Sequence, residues 1–277
     1  MLYTVLQWNM GVYHDRRLAD ESWQSRIDVL RTLVAERAPS LVTLQEAPAD
    51  LQRLRVFGPR YQVIPGPRGV ATAVLQPAWS VLDYSAGNGW RALVIKANPR
   101  RGKIGLWIVN VHLPILYKDS DDRRTFARCE PRDDLRRLRE RDPDRCELLI
   151  GDFNLPPYDA AMTRRDGFYA NSSPAWVSSK TRQRDAFYRP LYSPPVSVPE
   201  LGNPPFGSYY RDKDKDGPGP WWTPDQVLMS ARLATPGESQ ASLVTHAGTT
   251  TLCDPKRGRP NPKVGSDHLP LWVSFSA

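Results

Sequence analysis

The sequence has little cysteine, little lysine and no long apolar run. Its three cysteines, Cys129, Cys146 and Cys253, are odd in number and widely spaced. That argues against both a disulfide framework and a thiolate zinc site. No stretch reaches the roughly 18 apolar residues of a membrane span. The opening MLYTVLQWNM has no basic n-region and no small-residue cleavage site, so it does not read as a signal peptide. A reducing, cytoplasmic setting without a membrane partner is the expectation. No internal repeat is visible, and no protein partner can be read from the chain. Lysine supplies only eight of the 38 basic residues and arginine the rest.

The chain has 277 residues, a formal net charge of +8 and a pI of about 9.5. That length suits one large α/β domain with a sizeable core, here taken as 1–277. The basic excess fits a polyanionic partner such as nucleic acid or an anionic headgroup, and equally a merely basic soluble enzyme.

Strand-like runs are spread along the whole chain: LYTVLQW (2–8), LVTLQE (41–46), VATAVL (70–75), RALVIKA (91–97), IGLWIVNVHLP (104–114), CELLIGDFN (146–154), DQVLMS (225–230), SLVTH (242–246) and LPLWVSFS (269–276). Trp23, Ile27, Leu30 and Val34 recur at helical spacing. Asp20 or Ser22 is suited to cap that helix, and Pro39 to end it. Pro131 opens a second helix with Leu135 and Leu138 inward. Residues 155–222 carry many prolines and aromatics without a clear period. They read as long loops with short elements that bury aromatic area.

Asn9, Glu46, His112, Asp152, Asn154, Asp225, Asp267 and His268 each sit at or just past the edge of a strand-like run. Strand ends and their loops are where α/β folds hold chemistry. No Ser-His-Asp or Cys-His nucleophile pattern accompanies them. Oxygen donors without thiolates suit a hard divalent ion, Mg²⁺ or Mn²⁺, and hydrolysis of a phosphate ester by activated water. In GDFN, Asp152 is suited to deprotonate water, while Asn154 offers N–H donors to phosphate without adding charge. On extended backbone the D-x-N spacing points both side chains to one side.

The motifs QWNM, LQE, VHLP, GDFN, PDQVLMS and GSDHLP, in this order, resemble the endonuclease/exonuclease/phosphatase superfamily, whose fold is deoxyribonuclease I-like. The resemblance runs from Asn9 to His268. It implies a four-layer α/β sandwich, two packed mixed β-sheets flanked by helices, and a Mg²⁺-dependent phosphodiesterase. By the same resemblance Glu46 is the principal metal ligand, with Asn9 nearby and Asp267 as a second carboxylate. Asp152 activates water, Asn154 donates to phosphate, and His268 contacts the scissile phosphate, oriented by Asp225. His112 matches a second histidine that the abasic-site branch replaces by tyrosine.

Two positions depart from the family pattern. Gly11 stands where the abasic-site branch has a carboxylate. No glutamate lies between Glu46 and His112, so the acid partner of His112 is left open, with Asp83 as one choice.

Elsewhere the basic cluster Lys256, Arg257, Arg259 and Lys263 precedes GSDH and is placed to grip a phosphate backbone; a loop without that role is the alternative. Arg91 is a further phosphate candidate. DKDKDG (212–217) lacks the glutamate of an EF-hand loop, because Thr223 stands at position twelve. The favoured substrate is DNA. RNA, a small phosphoester and a catalytically silent binding protein are the rivals.

Overall fold

The computed structural model describes residues 1–11, 20–48, 51, 55–87, 92–101, 104–115, 131–190, 192–193, 207–210, 221–234 and 238–277. Strand β1 (Leu2–Asn9) leads to helix α1 (Asp20–Arg37), then β2 (Leu41–Gln45), β3 (Tyr61–Pro65), β4 (Ala71–Leu75), β5 (Trp79–Ala86), β6 (Ala92–Pro99) and β7 (Leu106–His112). Helix α2 (Pro131–Arg141) precedes β8 (Cys146–Asp152). Short pieces follow: α3 (Ala160–Thr163), β9 (Ala170–Asn171), α4 (Pro174–Val177), β10 (Phe187–Tyr188), β11 (Tyr192–Ser193), β12 (Tyr209–Tyr210) and β13 (Trp221–Trp222). The chain ends with β14 (Asp225–Ser230), β15 (Gln240–Leu243), β16 (His246–Ala247), β17 (Thr250–Thr251) and β18 (Leu271–Ser276).

Among the described residues, two seven-stranded sheets form the body. One runs β11-β15-β18-β1-β2-β4-β3 and the other β5-β6-β7-β8-β14-β10-β9. Both are mixed: β1–β2 and β7–β8 are parallel, while β1–β18 and β8–β14 are antiparallel. β1 and β2 face β8 and β14 across the interior. Strand alternation sends Ile95, Ile108, Leu148, Ile150 and Val227 into the inter-sheet core. The intervening Val94, Trp107, Val109, Leu149 and Leu228 point to the opposite face and join Leu135 of α2 in a second core. Ile27, Leu30, Leu33 and Val34 of α1 join the first cluster. The result is the expected four-layer sandwich. Each such aliphatic side chain contributes about 1.5–3 kcal/mol by leaving water.

α1 stops where Ala38 adopts a left-handed φ of 41° ahead of Pro39, since a residue before proline avoids the helical region. The side chains of Asp20 and Ser22 lie outside the described residues. α2 opens on Pro131 with Asp133 and Asp134 in its first turn and closes on Arg139 and Arg141, the charge order that complements a helix dipole. The region 155–222 does hold short elements. Phe187 is buried, and Tyr169 meets Trp176 edge-on under the Arg182 guanidinium.

Candidate active site

The ends of five strands meet at one place. Asp152 closes β8, and pairs in register with His112 at the end of β7 and Asp225 at the start of β14. Asn9 closes β1 and pairs with Gln45 at the end of β2, so Glu46 follows at the same edge. His268 arrives on the segment before β18, pairing as an isolated bridge with Tyr209. Eight residues scattered from 9 to 268 therefore converge because the strands that carry them are neighbours.

Asp152 is buried, and both of its oxygens are held. Asn9 Nδ2 donates to Oδ2 at 2.9 Å, and the Asn154 backbone N–H donates to Oδ1 at 2.8 Å. Burial and the charge of Asp225 raise its carboxyl above the usual range; His268, His112 and the Asn9 bond offset part of this. His268 donates from Nδ1 to Asp225 Oδ2 at 2.7 Å. Burial alone lowers an imidazole's pKa, but the Asp225 charge and hydrogen bond, with Asp267 and Asp152, carry His268 up to about 10. The ring is fixed on other sides too. Tyr209 lies against it with centroids 4.7 Å apart, Trp8 Nε1 donates to its carbonyl, and Ser266 Oγ accepts from its N–H. With Nδ1 committed to Asp225, Nε2 is the nitrogen left for a ligand.

Glu46 is buried and sits at φ 49°, a left-handed conformation that costs a non-glycine residue about 1 kcal/mol or more. Its Oε1 stands 3.6 Å from His112 Nε2. The acid facing His112 is thus Glu46. Asp83 belongs to an exposed edge strand, paired with Arg141 at 3.3 Å. Asp267 is exposed, with Oδ1 accepting from Ser266 Oγ and lying over Gly11. Gly11 leaves room there: a Cβ would come within 3.0 Å of that oxygen.

The D-x-N geometry differs from the expectation. β8 ends at Asp152, and Asn154 adopts φ 49° instead of extended backbone. Its N–H turns back onto Asp152, and its Nδ2 donates to Leu113 O at 2.8 Å. Asn154 ties the loops after β7 and β8 together, with one amide hydrogen left over.

Asp152, Asp225 and His268 offer ligand atoms all within 4.8 Å of one another. Each of the four carboxylate oxygens already accepts one hydrogen bond, from Asn9, Asn154, Gln7 or His268, and His268 Nδ1 is committed to Asp225. The hard oxygen donors Glu46, Asn9 and Asp267 fit Mg²⁺ or Mn²⁺ better.

Of the basic candidates, Lys256 and Arg257 are exposed on a loop whose turn Asp254 closes through both backbone N–H groups. Arg259 stacks over Tyr210 at 5.6 Å. Arg91, Cys129 and DKDKDG lie outside the described residues.

Residues that the motifs did not single out also serve the site. Arg26 of α1 is buried and donates to Gly265 O and Met10 O, bridging the loops beside His268 and Asn9. Gln7, Gln45 and Asn110 form an amide chain beneath it. Gln7 and Gln45 fall within QWNM and LQE without a role of their own there, and the signal of Asn110 is a polar residue inside an apolar run.

No protein-family model matches the sequence, and a comparison with curated protein sequences finds no match. Solved structures do match over nearly the whole chain. An endonuclease/exonuclease/phosphatase family protein from Bacteroides thetaiotaomicron superimposes with a TM-score of 0.66 at 13% identity, covering 99% of this chain and 95% of that one. D. rerio TDP2, complexed with single strand DNA product, gives 0.60 at 18%, covering 100% and 99%. The human Nocturnin catalytic domain with bound sulfate anion gives 0.57 at 16%, covering 99% and 94%. The fold is that of the endonuclease/exonuclease/phosphatase superfamily, the deoxyribonuclease I-like fold.

Proposed function

We propose that this protein is a metal-dependent phosphodiesterase that hydrolyses nucleic acid, DNA in preference to RNA. The observation that carries this reading is the Asn9–Asp152 pair set directly beside the Asp225–His268 pair. A buried carboxylate with a raised pKa, fixed on both oxygens, is suited to take a proton from water. Each of its oxygens keeps a second lone pair for that purpose. As the water oxygen bonds to phosphorus, the Asp152 carboxylate accepts the water's proton; the P–O ester bond breaks, and the ester oxygen leaves with its electron pair and takes a proton from solvent. His268 Nε2, charged through its bond to Asp225, donates to a phosphate oxygen where negative charge accumulates. Asn9 keeps Asp152 in line. Glu46, with Asn9 and Asp267, would hold the divalent ion, which supplies Lewis-acid charge to the phosphate when bound.

The preference for a polymer rests on the net charge of +8 and on exposed Lys256 and Arg257, on the loop that precedes GSDH in sequence. The DNA bound to D. rerio TDP2 is consistent with it. The test is a panel of linear duplex, single-stranded DNA, RNA and a small chromogenic phosphodiester, each measured against salt with Mg²⁺, Mn²⁺ and chelator. Polymer cleavage that needs metal and weakens steeply with salt supports the reading. Turnover of the small ester alone, indifferent to salt, overturns the nucleic-acid part of it.

A further inference from the structure

Beneath the site, three buried carboxamides form one continuous chain across both sheets. Gln7 Nε2 donates to Asp225 Oδ1 at 2.7 Å and to Gln45 Oε1 at 2.8 Å. Gln45 Nε2 donates to Asn110 Oδ1 at 2.6 Å. Asn110 Nδ2 donates to Ala71 O at 2.8 Å, with Thr72 Oγ1 and Leu44 O further off. Gln7, Gln45, Asn110 and Asp225 are all fully buried.

The chain has a direction, and its far end sets it. A backbone carbonyl only accepts, so Asn110 must present its NH₂ to Ala71 and its oxygen to Gln45. Gln45 then presents its NH₂ to Asn110 and its oxygen to Gln7. Gln7 is left with its NH₂ between Gln45 and Asp225. Flipping any one amide would set oxygen against oxygen or N–H against N–H at under 3 Å. Gln7 accepts an energetic cost for this orientation: its Oε1 is buried with no hydrogen-bond partner among the described residues, which costs on the order of 1–3 kcal/mol. A group left unsatisfied in this way asks for a reason.

We infer that the Gln7–Gln45–Asn110 chain is a positioning relay that holds Asp225 as an acceptor on Oδ1, so that Oδ2 is turned to His268 Nδ1. The donor at Gln7 fixes the rotation of the Asp225 carboxylate, and the carboxylate fixes the imidazole. Gly151 belongs to the same device. At φ 144° it passes beside Gln45, and a Cβ there would stand 2.9 Å from Gln45 Nε2 and 2.0 Å from Val111 O. The second sheet therefore opens at Gly151 to let the amide through. Gln7, Gln45 and Asn110 are positioning residues, since none of them meets the reacting atoms.

The catalytic consequence rests on the phosphodiesterase reading; the structural one does not, and the test separates them. Gln7→Met keeps the length of the side chain and removes both donors. With ¹⁵N-histidine labelling, the wild type is expected to show a hydrogen-bonded, exchange-protected His268 Nδ1 proton, assigned by its absence in His268→Gln. In Gln7→Met that proton should exchange too fast to observe, while His112 and His246 signals stay in place. In parallel, kcat should fall about tenfold with KM within about twofold, the loss expected for one hydrogen bond to a charged group. In an Asp225→Asn background the same substitution should change kcat little further, because it acts through Asp225. If Gln7→Met does not fold, Gln45→Met breaks the relay one link away and is expected to lose the same proton. An unchanged Nδ1 proton in a folded variant overturns the relay, whatever the activity. A lost proton in a protein that cleaves no phosphodiester keeps the relay and sinks the functional reading instead.

Discussion

Asn9 and Asp152 stand 143 residues apart in sequence, and Asn9 Nδ2 donates to Asp152 Oδ2 at 2.9 Å. They belong to different sheets, β1 and β8, so the contact exists only because the two sheets pack face to face. This bond joins the inter-sheet core to the proposed chemistry. Substituting Asn9→Leu leaves Asp152 buried with one oxygen unheld. Cleavage is expected to drop by about 10²-fold, with the far-ultraviolet circular dichroism unchanged. Full activity in the folded variant would show that Asp152 does not need Asn9.

The Asp225–His268 pair predicts a pH-dependent stability. An unfolded histidine titrates near 6.5, and His268 in the folded protein near 10. Between those values the folded state holds a proton that the unfolded state lacks, so the stabilisation is complete below pH 6.5 and is lost as pH rises toward 10. The difference in Tm between wild type and His268→Gln should therefore shrink across that window. A difference that is flat with pH contradicts the assignment.

Gly151 packs closely against the neighbouring strand of the second sheet. Gly151→Ala places a methyl 2.0 Å from Val111 O at a φ of 144°. The cost should be about 3 kcal/mol or more, combining backbone strain and overpacking. Urea denaturation measures it, and a loss under about 1 kcal/mol would mean that the strands relax easily.

Arg26 is buried with its guanidinium on Gly265 O and Met10 O, at 2.7 and 2.8 Å. Arg26→Met leaves both carbonyls without that donor, at about 2–5 kcal/mol in total. Activity should suffer more than stability alone explains, because the loops it joins carry Asn9 and His268. Equal activity at temperatures where both proteins are folded would count against that link.

Lys256 and Arg257 are exposed, so alanine at both should leave Tm unchanged within about 1 °C. If they meet phosphates, binding of any oligonucleotide sequence weakens alike. The salt slope then falls by about one for each phosphate no longer neutralised. An unaltered slope removes this loop from the substrate path.

Much of this architecture was legible in the sequence. The apolar runs ending in Asn9, Glu46, His112 and Asp152 are strands whose ends converge, and the 3.6-residue spacing of Trp23 to Val34 is α1. What escaped did so for physical reasons. β5 is an exposed edge strand with little alternation to read, and β3 ends in proline. Asn154 leaves the extended region because its own N–H finds Asp152, a local bond that strand periodicity does not foresee. Glu46 as the neighbour of His112, and Gln7 as the donor to Asp225, depend on which strands sit side by side or face to face. One polar residue in an apolar run shows that a partner exists without naming it.

The most direct measurement is cleavage of supercoiled plasmid by purified protein and by Asp152→Asn, side by side, with Mg²⁺, with Mn²⁺ and with chelator. Metal-dependent nicking or degradation by the wild type, reduced at least about 10²-fold in a variant of equal Tm, is the predicted result. Equal cleavage by Asp152→Asn, or none by a folded, metal-supplied wild type, would contradict it.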